Sequence, residues 1–141
     1  MTRIFAAATL LFAMTACGGS SQKNLPLEGT TWKLARMESI PSTAVAAEED
    51  AFTLEFNAAD TLVAGRTNCN RFFGKYTLSG KSLKMGPLGM TRMACPDMQY
   101  EDSFVQMLDE VDGYEIKGSE LKLLDGEQVV AEFHGTPAAA E

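Results

Sequence analysis

The sequence is poor in positive charge. It contains 12 lysine and arginine residues against 19 aspartate and glutamate residues, which gives a formal net charge of −7 at pH 7. Proteins that bind nucleic acid neutralise its phosphates with a basic face. The composition therefore argues against a nucleic-acid partner, and it gives no reason to expect electrostatic docking on anionic lipid.

Histidine is also scarce, and the usual catalytic motifs are missing from the sequence. The single histidine, His134, follows the last predicted strand, where we interpret it as a solvated strand-end residue. There is no Gly-x-Ser-x-Gly motif and no glycine-rich phosphate-binding loop. Hydrolytic catalysis needs a nucleophile, a base and an orienting group within reach of one another. We therefore predict no catalytic residues, no cofactor and no enzymatic activity.

Long apolar runs are limited to one segment near the N-terminus. Residues 4–14 are apolar except for Thr9, and this length is about half of what a membrane-spanning helix needs. Arg3 precedes the run, and the small residues Thr15 and Ala16 follow it. This arrangement predicts a signal peptide over residues 1–16.

The end of the predicted signal peptide carries a second signal. Met14-Thr15-Ala16-Cys17 resembles the lipobox of bacterial lipoproteins, in which the cysteine is diacylated, although leucine is commoner where Met14 stands. The resemblance implies that acylated Cys17 holds the protein on a lipid bilayer. The glycine- and serine-rich composition that follows predicts that residues 17–26 are the lipidated cysteine and a flexible linker. By analogy with lipoprotein sorting, Gly18 favours the outer membrane of the cell envelope, facing the periplasm. The alternative is an ordinary secretory signal followed by a chance cysteine.

Beyond the linker, short runs of alternating apolar and polar residues predict β-strands separated by turn residues. We interpret residues 38–50 as a loop and residues 136–141 as a loose C-terminal tail. The predicted strands cover residues 31–37, 52–56, 61–66, 72–78, 82–85, 90–94, 114–117, 121–124 and 128–133.

One helix is predicted after Pro96, a residue that suits the first turn of a helix. Phe104, Leu108 and Val111 recur at helical spacing and form one apolar stripe, and Gly113 is a natural stop. The fold class is therefore mainly β (α+β). We predict a curved antiparallel sheet or partly closed barrel of about eight strands, with one helix packed against it.

Two segments carry a recognisable pattern. Residues 65–76 read Gly-Arg-Thr-Asn-Cys-Asn-Arg-Phe-Phe-Gly-Lys-Tyr, and residues 91–96 read Thr-Arg-Met-Ala-Cys-Pro. With the strands and helix around them, they resemble the META domain, the family of HslJ-like heat-shock-inducible bacterial proteins, over residues 27–135. The family has no firmly assigned biochemical activity. The resemblance implies the fold, and it also implies a link to heat shock and to tolerance of the antibiotic novobiocin.

The three cysteines can be assigned if Cys17 carries lipid. Cys69 and Cys95 then remain as an even pair in an exported chain, and the family motifs surround both positions. A bond between them would close a loop of about 27 residues and stabilise the fold by about 3–4 kcal/mol. Two free thiols are an alternative, as is a metal or redox site. We predict the disulfide and no metal site, because two lone cysteines and one histidine are too few ligands for zinc.

The same segments supply the candidate binding residues. They are polar residues close to the two cysteines: Asn68, Asn70, Arg71, Thr91 and Arg92. With the disulfide formed, we expect both arginines on one face of the molecule. In a structural role, Asn68, Asn70 and Thr91 form hydrogen bonds with backbone groups of the turns. The two arginines then brace carboxylates such as Glu101. In a functional role, the arginines bind an anionic partner such as a peptide carboxylate or an envelope polymer.

These observations lead to a hypothesis about function. We expect a non-catalytic envelope lipoprotein whose META domain binds an envelope protein or peptide, or maintains the envelope under stress. The alternative is a structural or chaperone-like outer-membrane module without a specific ligand, and an enzyme is a third possibility.

Overall fold

The computed structural model describes residues 22–138 of the chain. These residues form nine strands and two helices: β1 (Thr30–Arg36), α1 (Ser42–Ala46), β2 (Thr53–Asn57), β3 (Leu62–Arg66), β4 (Arg71–Ser79), β5 (Ser82–Met85), β6 (Gly89–Met90), α2 (Met98–Glu110), β7 (Gly113–Lys117), β8 (Glu120–Asp125) and β9 (Gln128–Pro137).

The strands form one closed antiparallel barrel. The sheet order is β3-β2-β1-β9-β8-β7-β5-β4, and β4 returns to pair with β3. The short strand β6 also pairs with β4, next to its first residues, whereas β5 pairs with its last ones. The prediction of a mainly β fold of about eight strands is confirmed, and the sheet closes completely.

Strand β1 shows how the sequence builds the barrel. Trp32 and Leu34 alternate with polar residues and are buried, and the indole N–H of Trp32 donates to the carbonyl of Leu27 at 2.9 Å. The indole ring lies so close to β9 that a Cβ added at Gly135 would be 2.5 Å from it. Glycine is therefore the residue that lets the tryptophan fill this part of the core.

Helix α2 packs into the barrel through its apolar stripe. Phe104 is fully buried, and its ring lies 5.4, 6.1 and 6.2 Å from those of Phe52, Phe72 and Phe133. Aromatic pairs at these centroid separations are stabilising. One residue of the helix thereby meets rings from β4, from β9 and from the residue just before β2.

Three boundaries differ from the sequence prediction. The segment 38–50 contains the helix α1, and the predicted strand 90–94 is reduced to β6, Gly89–Met90. Strand β9 continues to Pro137, so the barrel extends past residue 135, where the domain was predicted to end. Before β1, the backbone N–H of Leu25 donates to the carbonyl of Gly118, which places the end of the predicted linker against the barrel.

Lysine 33 explains why the segment 38–50 is ordered. Its ammonium group donates to the backbone carbonyls of Val45 at 3.0 Å and Glu48 at 2.8 Å, and to that of Ala51. Partial burial lowers the pKa of Lys33 by desolvation, and nearby carboxylates partly oppose that effect. One charged side chain therefore supplies the donors for three carbonyls that end or follow α1.

The signal peptide and Cys17 lie outside the described residues. Within residues 22–138, neither helix has the length and apolar character needed to cross a membrane.

Candidate functional site

A disulfide fixes the centre of the candidate site. Cys69 lies in the connection between β3 and β4, and Cys95 lies three residues before α2. Their sulfurs are bonded at 2.02 Å, with the α carbons 5.9 Å apart. The predicted disulfide is confirmed, and it ties the rim of the barrel to the start of the helix.

A buried carboxylate makes a second connection between the same two elements. Glu101 in the first turn of α2 is only 6 % exposed. It accepts hydrogen bonds from the hydroxyl of Thr67 at 2.5 Å and from the backbone and side-chain amides of Asn70, each at 3.1 Å. A carboxylate can be buried without a cation when several donors surround it in this way.

Asn70 also holds the segment that follows β6. Its side-chain oxygen accepts from the hydroxyl of Thr91 at 2.9 Å and from the backbone N–H of Met93 at 2.8 Å. Its side-chain nitrogen donates to the Met93 carbonyl at 3.1 Å. The expectation that Asn70 and Thr91 satisfy local backbone is therefore confirmed, and the asparagine replaces the strand pairing predicted for residues 90–94.

The arginines do not hold Glu101, so the bracing role given to them above is wrong. The ion pairs found among residues 22–138 join Arg36 to Glu132 and Arg66 to Glu48 and Asp50. The donors around Glu101 are neutral. They belong to residues 67–70 between β3 and β4, which we call the rim loop, and this loop turns the hydroxyl of Thr67 and the amides of Asn70 toward the helix.

Arg71 and Arg92 point to different surfaces. Arg71 begins β4, where Arg71, Phe73 and Lys75 alternate with buried residues and are exposed on the outside of the barrel. Its carbonyl pairs with the backbone of Thr91, so Arg92, one residue further, faces the opposite side. There it lines a groove beside α2. The expected single surface containing both arginines is not formed.

Asn68 contributes to the start of the helix. Its side-chain nitrogen donates to the carbonyl of Asp97 at 3.1 Å, while its side-chain oxygen is buried without a hydrogen bond within the described residues. Asp97 precedes α2 in a left-handed conformation with φ of 60°. Asn68 therefore supports the turn that leads from the disulfide into the helix.

The groove that Arg92 lines is the candidate functional site. It has a volume of about 440 Å³ and lies between residues 85–92 and α2. We call it the β6–α2 groove. Leu88, Met90 and Val105 provide half-buried apolar surface, and Asp102 and Asp109 are exposed on its helical wall. Its position was not predictable from the sequence, although Asp102 and Asp109 stand seven residues apart, as residues on one helix face do.

A second groove lies on the other side of α2. It has a volume of about 740 Å³, and its lining includes Met37, Val129 and the ion pair between Arg36 and Glu132, whose charged atoms are 2.8 Å apart. The hydrogen bond from Arg36 lowers the pKa of Glu132. An ion pair already occupies this groove, where Glu38 and Glu110 also lie. In contrast, no salt bridge engages Arg92, Asp102 or Asp109 within residues 22–138.

The histidine lies away from both grooves. His134 is exposed on β9, and its Nδ1 is 3.4 Å from the hydroxyl oxygen of Ser119. No cluster of three or more potential metal ligands is found within residues 22–138.

A family model described as the META domain matches residues 25–137 of the chain. Similar solved structures include the NMR structure of a protein from Burkholderia xenovorans, 26 % identical with a TM-score of 0.61, in which 78 % of this chain and 83 % of the other are covered. A DUF4847 family protein from Bacteroides vulgatus shares the fold, with 16 % identity, a TM-score of 0.57, and coverage of 80 % and 96 %. A comparison with curated proteins finds no match.

Proposed function

The chain belongs to the META domain family, and from this premise we propose that it is a non-catalytic lipoprotein of the bacterial cell envelope that binds a protein or peptide partner. Acyl chains on Cys17 anchor it to the outer membrane, facing the periplasm. The barrel binds its partner as part of a response to envelope stress.

The β6–α2 groove is the observation that supports binding. It combines half-buried apolar side chains with Arg92, Asp102 and Asp109, which make no salt bridge within residues 22–138. Concave sites with apolar walls and a few polar groups are the usual form of a binding site. The disulfide and Asn70 hold the strand-side wall close to the helix, which reduces the ordering cost of binding.

The placement of the reactive side chains supports a non-catalytic role. The imidazole of His134 and the hydroxyl of Ser119 are close to each other, but neither lines the β6–α2 groove or the groove on the other side of α2. The groove carboxylates Asp102 and Asp109 stand about two turns apart on an exposed helix face, where they act as charges that select a partner.

The test is crosslinking in intact envelopes followed by purification of the full-length protein. We expect one envelope protein to be enriched with the native chain and to be lost with Val105→Glu, which places a charge on the apolar floor of the groove. Val129→Glu is the matched control, because Val129 is exposed on the other side of α2. Equal recovery from the native chain and both variants would contradict the proposal.

A further inference from the structure

The edge of β6 that faces the groove has no strand beside it. Phe72 pairs with Met90, and the neighbouring bond from the Thr91 N–H to the Arg71 carbonyl fixes which residues exchange hydrogen bonds with β4. In this register Phe72 and Met90 form a non-hydrogen-bonded pair, so the N–H and C=O of Met90 point away from β4. Neither group forms a hydrogen bond within residues 22–138.

The barrel leaves this edge open because β5 and β6 lie one after the other along β4. Strand β7 pairs with β5 at a single register position, Ser82 with Gly113, and does not continue alongside β6. Helix α2 lies across the groove from this edge. An unpaired edge next to a helix is the arrangement that receives an extended peptide by strand addition.

From this arrangement we infer that the β6–α2 groove binds an extended peptide segment, which pairs with Met90 and carries an apolar side chain between two basic ones. The inference rests on the proposed function and names the chemistry of its partner. Side chains of an added strand alternate, so every second residue faces α2. The central one packs on Met90 and Val105, and its two neighbours on that face reach Asp102 and Asp109.

The charges and the spacing support basic residues at those positions. The groove is lined by one arginine and three carboxylates, of which Glu101 is already satisfied by the rim loop. Asp102 and Asp109 are separated along the helix by about 10 Å at 1.5 Å per residue. Two side chains four residues apart on a strand are about 13 Å apart, a difference that a lysine side chain can accommodate.

The probe is the heptapeptide acetyl-Thr-Lys-Thr-Val-Thr-Lys-Thr-amide, added to full-length protein labelled with ¹⁵N-methionine in mild detergent. We expect the Met90 amide resonance to move on titration, with a Kd of about 0.1–1 mM for so short a peptide. Met37 lies on the other side of α2 and serves as the internal control. A Met90 resonance that stays unchanged at saturating peptide would overturn the inference.

Charge and backbone variants separate strand pairing from non-specific attraction. The double variant Asp102→Asn with Asp109→Asn should weaken binding about threefold to tenfold at low salt, and less at high salt. Glu110→Gln is the matched control, because Glu110 faces the other groove. Replacing both lysines of the peptide with glutamate should abolish the Met90 shift.

N-methylation tests the main-chain bonds. One peptide carries a methyl group on the amide of the central valine, and a second carries it on the amide of the threonine that follows. Alternate amides of an added strand face β6. One of the two methylated peptides should therefore lose binding, and the other should bind as the unmodified peptide does. Equal binding of both methylated peptides would overturn strand addition. A Met90 shift on dilution without peptide would assign the edge to a second copy of the chain instead.

The experiments distinguish a failure of strand addition at Met90 from a failure of the proposed envelope function. If the envelope partner is captured and depends on Val105, but no peptide moves the Met90 resonance, the binding function stands and strand addition falls. If the peptide binds at Met90 but no envelope protein is recovered, the edge pairing stands and the envelope role falls.

Discussion

The backbone and side-chain amides of Asn70 both donate to the carboxylate of Glu101, each over 3.1 Å. Asn70 belongs to the rim of the barrel and Glu101 to the first turn of α2, and both are buried. The hydroxyl of Thr67 adds a third donor at 2.5 Å. This pair therefore joins sheet and helix by a polar contact inside an otherwise apolar core.

Replacing Glu101 with alanine should destabilise the domain. The substitution removes the acceptor of three buried hydrogen bonds, and we expect a loss of about 2–4 kcal/mol in the free energy of unfolding. Urea denaturation measures the difference. Asp102→Ala changes the exposed neighbour and serves as the control, with an expected effect below about 0.5 kcal/mol. A similar small effect at Glu101 would show that the contact does not contribute.

Breaking the Cys69–Cys95 bond should also lower stability. The two cysteines are 26 residues apart in sequence, and the chain-entropy model gives a loss of about 3–4 kcal/mol when a loop of this size is opened. The double variant with serine at both positions, compared with native protein by thermal denaturation, tests this. Thiol titration of the unfolded, unreduced protein is the complementary measurement. Cys17→Ser should leave the melting temperature unchanged.

Lys33→Met should loosen the segment around α1 while the barrel remains folded. The variant keeps an apolar side chain of similar length but removes the donor for the carbonyls of Val45, Glu48 and Ala51. We expect the free energy of unfolding of this segment to fall by about 1–3 kcal/mol. Amide hydrogen exchange should accelerate in residues 42–51 more than in β8 and β9. Lys84→Met, at an exposed position of β5, is the control. Uniform acceleration across the chain would contradict a local role.

The pair formed by Arg36 and Glu132 predicts a pH dependence. The Arg36 hydrogen bond lowers the pKa of Glu132 in the folded protein below that in the unfolded chain. Its stabilising effect is therefore present above the unfolded pKa and is lost as pH falls through the folded pKa. Arg36→Met should raise the pKa of Glu132. A ¹³C NMR titration of the Glu132 carboxyl measures the change. Lys122→Met should raise it less, because the attraction of Lys122 is the smaller contribution.

Lipidation of Cys17 is tested by metabolic labelling. We expect native protein to incorporate palmitate and to fractionate with outer membranes, because the residues before Cys17 resemble a lipobox. Cys17→Ser should remain unprocessed by the lipoprotein peptidase and free of label. Equal incorporation of palmitate by the variant would refute the anchor.

The sequence was sufficient for strands such as β1, β2 and β5, because each of these alternates buried with more exposed residues over a short run. Trp32 and Leu34 on β1 show this alternation, and α2 was predictable from the helical spacing of the stripe through Phe104. Closure of the barrel was not predictable in the same way, since it depends on β3 pairing with β4. The family motif around Cys69 gave the disulfide partner correctly.

The details of the candidate site could be predicted only in part. Alternation alone does not reveal that Asn70 holds Met93, which ends strand pairing after Met90. Arg71 and Arg92 lie near cysteines that meet in space. Arg71 pairs with Thr91, however, and Arg92 is one residue further along the chain, so side-chain alternation points the two arginines in opposite directions. Helix α1 was missed because Lys33, thirteen residues before Ala46 in sequence, supplies its stabilising contacts.

The direction of β1 decides how a tethered molecule would be oriented. Thr30, its first residue, pairs with Pro137 near the end of the described chain, whereas Arg36, its last, borders α2. Seven residues of strand separate these two ends by about 20 Å. A molecule held through the segment that precedes β1 would carry α2, and the grooves beside it, at the end of the barrel far from its point of attachment.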